Sequence, residues 1–147
     1  MSTTDQFAIA LQRMPHTRRM MLLDHVVDAG DETITCSAKP HGGPGYPLRV
    51  EGRLHAMALV ELGAQAAAAH TSLFGVGKAH VGLLLTVSGV EVHCSDADAL
   101  KGPLEVTACR LHVDDQGARY GFRVCERAAS VVPALSGEAV LSMRAVE

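Results

Sequence analysis

Apolar residues are spaced two ways along this chain, and one stretch carries them at almost every position. From Leu54 to Ala69 the side chains are Leu, Met, Val and mostly Ala, strong helix formers apart from Val60 and Gly63, with no proline. That run predicts a helix from about Arg53 to about Leu73. Its apolarity on nearly every face is the pattern of a helix enclosed by other structure, not of one lying half in water. Elsewhere the period is two. Met20 to Val27 and Thr33 to Ala38 are β-prone runs around the turn-forming Asp28-Ala29-Gly30-Asp31, which predicts a hairpin. His80 to Val92 reads as a long strand. Pro103 to Val113 alternates, with Glu105, Thr107, Cys109 and Leu111 on one face against Val106, Ala108 and Arg110. After a turn at Asp114-Asp115-Gln116-Gly117, Arg119 to Cys125 alternates with Tyr120, Phe122 and Val124 on one face. Ser136 to Ala145 supplies a last strand carrying Ala139, Leu141 and Met143.

The connections are as telling as the elements. Thr4 to Leu11 predicts a short amphipathic helix with cap candidates at Ser2 to Asp5, ended by Met14-Pro15-His16. Lys39 to Tyr46 holds three glycines and two prolines, so neither helix nor ladder can persist there and a loop feeds the central helix. Gly75-Val76-Gly77-Lys78 has no Ser or Thr after its lysine and precedes a strand, so it is a helix stop and not a phosphate loop. The chain then holds about six strands in hairpin-like succession, with one long helix inserted after the second. This predicts an α+β fold in a single domain over residues 1–147, its sheet mainly antiparallel and curled around the helix. An open edge strand and an incompletely covered helix predict at least a dimer.

Composition removes several function classes. A net charge of −3 offers no basic field for a phosphate backbone, so nucleic acid is not an expected partner. Glu61 interrupts the best apolar run and no signal peptide opens the chain, so no membrane span and a cytoplasmic location are expected. Cys36, Cys94, Cys109 and Cys125 form no C-x-x-C pair, and the histidines form no H-x-x-x-H, so reduced thiols and no metal are expected.

The candidate chemistry lies on the helix. Glu61 and Gln65 are four residues apart and project from one side, one turn above the other. A buried ionised carboxylate must be paired, hydrogen-bonded or neutralised. Glu61 is therefore tied to Gln65 and a backbone group, or on a helix face wetter than it reads, or an acid/base group in a cleft.

Three segments carry a resemblance: Met14-Pro15-His16 leading to Met21-Leu22-Leu23-Asp24-His25-Val26; Gly52-Arg53-Leu54 through Val60-Glu61-Leu62-Gly63-Ala64-Gln65-Ala66; and Gly82 to Val92 followed by Gly102-Pro103-Leu104. These resemble the β-hydroxyacyl-(acyl carrier protein) dehydratases, hotdog-fold lyases whose helix reads E-x-x-A-Q-A. The resemblance implies action on 3-hydroxyacyl thioesters carried on the phosphopantetheine of acyl carrier protein or CoA, as in fatty-acid or polyketide-type synthesis, with no other cofactor. It implies Glu61 as the acid, first-turn N–H groups near Arg53 to Ala56 polarising the thioester carbonyl, and a loop histidine as base.

That histidine should fall near Tyr46-Pro47-Leu48, where this chain has Tyr46. His41 and His55 are the nearby substitutes, and Tyr46, Gln65 and Arg53 are the implied substrate contacts. Arg18, Arg19, Arg49 and Arg53 could meet an acidic carrier or the pantetheine phosphate. The chain is more closely similar to dehydratase-like subunits of aryl-polyene and polyketide-type synthase clusters, which keep E-x-x-A-Q and lack the loop histidine. That similarity implies pairing, as a homodimer or with another hotdog subunit. Two alternatives stay open: a non-catalytic partner subunit of a dehydratase heterodimer, or an acyl thioesterase in which Glu61 activates water.

Overall fold

The computed structural model describes residues 18–74, 80–127 and 132–145. The expected helix at Thr4 to Leu11, the Met14-Pro15-His16 turn and the stop at Gly75 to Lys78 lie outside those residues. Six strands form one sheet: β1 (Leu23–Ala29), β2 (Thr33–Ala38), β3 (His80–Val92), β4 (Leu104–Val113), β5 (Gly117–Glu126) and β6 (Leu135–Ala145). Their spatial order is β1-β2-β4-β5-β6-β3, and every neighbouring pair is antiparallel. The helix, α1 (Val60–Phe74), is inserted between β2 and β3, as the sequence predicts.

The inserted helix explains the strand order. From β2 the chain passes through α1 to the far edge of the sheet, lays down β3 there, and must then cross back over the sheet end to place β4 beside β2. The crossing segment includes a 3-10 turn, Ala97–Ala99, which lands on the approach to α1: the Ala97 N–H donates to the Leu54 carbonyl at 3.0 Å. The helix touches all six strands. Six strands at about 4.8 Å spacing form a sheet roughly 24 Å wide, too wide for one helix of about 10 Å diameter to span flat, so the sheet is wrapped around it.

Burial follows the alternation. Ala118, Tyr120, Phe122 and Val124 of β5 and Leu104, Val106 and Ala108 of β4 face inward, against Leu62 and Ala66 to Ala69 of the helix. Arg110 shares the inward register of β4 because its guanidinium ends on the helix C-terminus, donating to the Phe74 carbonyl at 2.6 Å. Gly63 is a close-approach position. A Cβ there would meet the Phe122 ring at 2.2 Å, so the missing side chain lets the ring lie on the helix backbone.

Two predicted boundaries shift for physical reasons. The helix does not begin at Arg53. Val50 to Arg53 closes a tight turn, with Glu51 at φ 50° and Gly52 at φ 75° and reciprocal bonds between Val50 and Arg53 of 2.8 and 2.9 Å. His55 is extended and caps a 3-10 turn, Ala56–Leu59, that leads into α1. Likewise β1 starts at Leu23 and not at Met20, which belongs to a 3-10 turn, Arg18–Met20.

His70, fully buried on α1, binds the β1–β2 turn. Its Nε2–H donates to the Gly30 carbonyl at 2.8 Å. Because a carbonyl only accepts, Nε2 carries the ring proton, and Nδ1 accepts from the Tyr120 hydroxyl at 2.7 Å. Desolvation lowers the His70 pKa and nearby Arg110 lowers it further, against the Gly30 bond and Asp31, which raise it.

Gly63→Ala is expected to destabilise the fold by about 1–3 kcal/mol through overpacking, outweighing the roughly 1 kcal/mol of helix propensity it gains; a thermal melt checks the sign. A second test uses pH. Since the folded-state pKa of His70 lies below the ordinary 6.5, the unfolded chain takes up the proton first; its contribution is complete above 6.5 and is lost as pH falls. Urea unfolding at a series of pH values should show that slope, and His70→Gln should flatten it; an unchanged slope would assign it to other groups.

Candidate functional site

The site grows from the first turn of α1. Glu61 is half-buried there. One turn on, Gln65 is 0% exposed. Its Oε1 accepts the Leu22 N–H at 2.9 Å, which fixes the amide orientation and turns Nε2 towards the Met20 carbonyl at 2.5 Å and Glu61 Oε1 at 3.1 Å. Gln65 thus stands behind the carboxylate. Its amide is engaged by Leu22, Met20 and Glu61.

Tyr46 is half-buried on the loop before the helix, and burial together with the charge of Glu61 pushes its phenol up to about 12. It remains a hydrogen-bond donor at any working pH. Behind it lies His41, buried, with Nε2–H donating to the Leu100 carbonyl at 2.6 Å and its ring edge-on to Tyr46 at 6.5 Å. His55 is exposed, and its Nδ1 accepts the Met57 N–H at 3.2 Å as a helix cap. Arg53 is exposed and ion-paired with Asp96. The fold therefore gathers Glu61, Gln65 and Tyr46, with His41 adjoining Tyr46. His55 and Arg53 sit on the approach to the helix, each engaged locally.

Arg49 is the residue the sequence misplaces. Its side chain is 8% exposed and bonded to Asp98 at 2.8 Å, and it also donates to the carbonyls of His41 (2.9 Å), Gly52 (3.1 Å) and Gly43 (3.2 Å). It holds the glycine-rich loop in place and is not free to meet a phosphate. Asp98 also accepts the Leu54 N–H at 3.0 Å, and these two contacts, the Leu54 bond foremost, hold its carboxyl below the usual range. The Arg53 N–H is spent on Val50 at 2.9 Å. Of the four N–H groups expected to face a thioester oxygen, Arg53 and Leu54 are committed, which leaves His55 and Ala56. No sequence signal separates Arg49 from its neighbouring arginines, because burial comes from the loop folding over it.

Among the described residues no three His, Cys, Asp or Glu side chains are grouped to hold a metal, and no helix is long and apolar enough to cross a membrane. All four cysteines are free; Cys36 is buried, which pushes its thiol up to about 12.

One helix held inside a six-stranded antiparallel sheet defines the hotdog fold. Solved structures share the fold. The dehydratase heterocomplex ApeI:P from Xenorhabdus doucetiae superposes with a TM-score of 0.67 at 18% identity, over 94% of this chain and 91% of that one. A mutant thioesterase from Pseudomonas aeruginosa gives 0.69 at 13% identity, over 99% and 96%. A hypothetical thioesterase from Streptococcus pneumoniae, solved with coenzyme A, gives 0.62 at 11% identity, over 96% of both chains. No curated protein matches the chain. The sequence profile of the ApeP-like family, described as ApeP dehydratase, matches residues 10–136, and the chain belongs to that family.

Gln65→Leu is expected to orphan the Leu22 N–H and the Met20 carbonyl and to lower stability by about 1–3 kcal/mol for each buried group, read by urea unfolding. Unchanged stability would mean that the amide is not a structural clamp.

Proposed function

We propose that this chain is a dehydratase-like protein acting on 3-hydroxyacyl thioesters carried on the phosphopantetheine arm of acyl carrier protein or CoA. The observation that carries the reading is a half-buried carboxylate at the first turn of an enclosed helix, oriented by a fixed amide and close enough to a phenol to raise its pKa. Dehydration breaks C2–H and C3–O and needs charge on the thioester oxygen to be held meanwhile. One carboxylate can serve both carbons. Glu61 takes the C2 proton, the electron pair shifts towards the thioester oxygen, and it returns to form C2=C3 as the C3 hydroxyl leaves with the proton Glu61 gives back. The products are an enoyl thioester and water, with Glu61 ionised again. The His55 and Ala56 N–H groups face the thioester oxygen, and Tyr46 donates to the departing hydroxyl. Membership of the ApeP-like family supports the reaction class, and the streptococcal neighbour solved with coenzyme A supports the arm.

A second reading is favoured by Tyr46 at the position where the dehydratase resemblance calls for histidine. In it the chain is one half of a dehydratase, and a partner hotdog subunit supplies the base that faces Glu61. The Xenorhabdus neighbour, a dehydratase heterocomplex, supports this arrangement.

The test measures water loss from a 3-hydroxyacyl carrier-protein thioester, with the chain alone and mixed with a histidine-bearing hotdog subunit. Glu61→Gln is expected to lower the rate by about 10²-fold or more, and Tyr46→Phe by roughly 10-fold. Activity confined to the mixture and lost with Glu61→Gln selects the second reading. Equal rates for parent and Glu61→Gln remove the carboxylate from the mechanism, and release of free thiol in place of water would make the chain a thioesterase.

A further inference from the structure

The end of β2, the glycine-rich loop and the segment leading into β4 enclose a cavity of about 300 Å³ beside the site. Its wall includes Lys39, Lys101, His41, Asp98 and the rings of Pro40 and Pro103. The charges do not cancel. Asp98 is spent on Arg49 at 2.8 Å and on the Leu54 N–H at 3.0 Å, and among the described residues neither lysine is paired with a carboxylate. His41 is only 7% exposed, yet among the described residues just one of its nitrogens is engaged. Its Nε2 must carry a proton to donate to the Leu100 carbonyl, which leaves Nδ1 as the ring position open to a further bond. Exposed lysines alone would be ordinary solvated charges. Here they rim a cavity that also has apolar rings and a buried imidazole.

Two cations, apolar rings and a buried hydrogen-bonding nitrogen form a set that few small molecules satisfy together. An inorganic anion uses only the lysines, and an acyl chain uses only the prolines. The phosphate end of a phosphopantetheine arm uses all three: a phosphate on a CH2 group, then a carbon bearing two methyl groups, then a carbon bearing a hydroxyl.

We infer that this cavity binds the phosphate end of the arm, with Lys39 and Lys101 on the phosphate, Pro40 and Pro103 against the methyl groups, and His41 Nδ1 accepting from the hydroxyl. The inference rests on the proposed thioester substrate and adds where its carrier is held. His41 joins the two sites, because it walls the cavity and stands edge-on to Tyr46 at 6.5 Å, and the Tyr46 phenol senses Glu61. The same chemistry comes with CoA and with a carrier protein.

The test titrates the full chain with 4′-phosphopantetheine, pantetheine and inorganic phosphate, and repeats the titrations with the Lys39→Ala, Lys101→Ala double variant. Removing the phosphate from the ligand, or both lysines from the protein, is expected to weaken 4′-phosphopantetheine binding by about tenfold or more, while the double variant leaves pantetheine binding unchanged. Equal binding of 4′-phosphopantetheine and pantetheine, or no effect of the double variant, overturns the assignment. So does phosphate binding as tightly as 4′-phosphopantetheine, since that would make the cavity an anion site only. CoA and holo carrier protein, run in parallel, identify which source the cavity accepts.

Kinetics separate this inference from the reaction. The double variant should raise KM for an arm-borne 3-hydroxyacyl substrate at unchanged kcat, and leave the N-acetylcysteamine thioester, which has no phosphate, unaffected. Glu61-dependent turnover of that short thioester with no lysine effect on any ligand sinks the cavity assignment alone. Lysine-dependent arm binding with no turnover of any thioester sinks the reaction alone.

Discussion

A helix surrounded on nearly all sides by one sheet must be thin, and that constraint orders the rest of this molecule. Ala64 and Ala66 to Ala69 are each at most 4% exposed, so the strands approach close to the helix backbone along that length. At Gly63 the approach is closer still and the Phe122 ring occupies the space of a side chain. Close packing of this kind leaves no room for solvent, so each polar side chain on the enclosed faces needs a protein partner.

Gln65 and His70 show how that need is met. Both are fully buried and both bind main chain at the two ends of one hairpin: Gln65 holds Met20 and Leu22 just before β1, and His70 holds Gly30 at the β1–β2 turn. Two polar clamps therefore fix this edge hairpin to the helix, in addition to the apolar packing of Leu23, Ile34 and Cys36. Fixing the hairpin also fixes the amide of Gln65, and through it the carboxylate of Glu61. The orientation of the candidate catalytic group is thus a by-product of how the sheet is held closed.

The loops follow the same logic with charge in place of packing. A glycine-rich segment has no ladder or helix to satisfy its carbonyls, and here one arginine gathers two of them, with a third from the Val50–Arg53 turn, while Asp98 neutralises it and caps Leu54. Asp98 reaches this position only because the β3–β4 connection has to cross the sheet end. The walls of the cavity beside His41 come from the same two segments.

Much of this was legible in the residues. An apolar run without a polar face could only be an enclosed helix, alternation in β4 and β5 gave the inward faces, and the E-x-x-A-Q spacing placed Glu61 and Gln65 on one turn. These follow from local geometry, which repeats every two or 3.6 residues and so is written in the order of side chains. Other features depend on segments far apart in sequence. That Gln65 holds Leu22, that Arg49 is buried, that His55 caps a 3-10 turn, and where the helix starts after the Val50–Arg53 turn were set by partners 43 and 49 residues away or by a turn closing first. Sequence by itself determined the elements and the one carboxylate on the helix. Only the tertiary structure decided which polar groups are spent on holding the fold and which remain for chemistry, because a hydrogen bond between distant segments leaves no periodic trace in either of them.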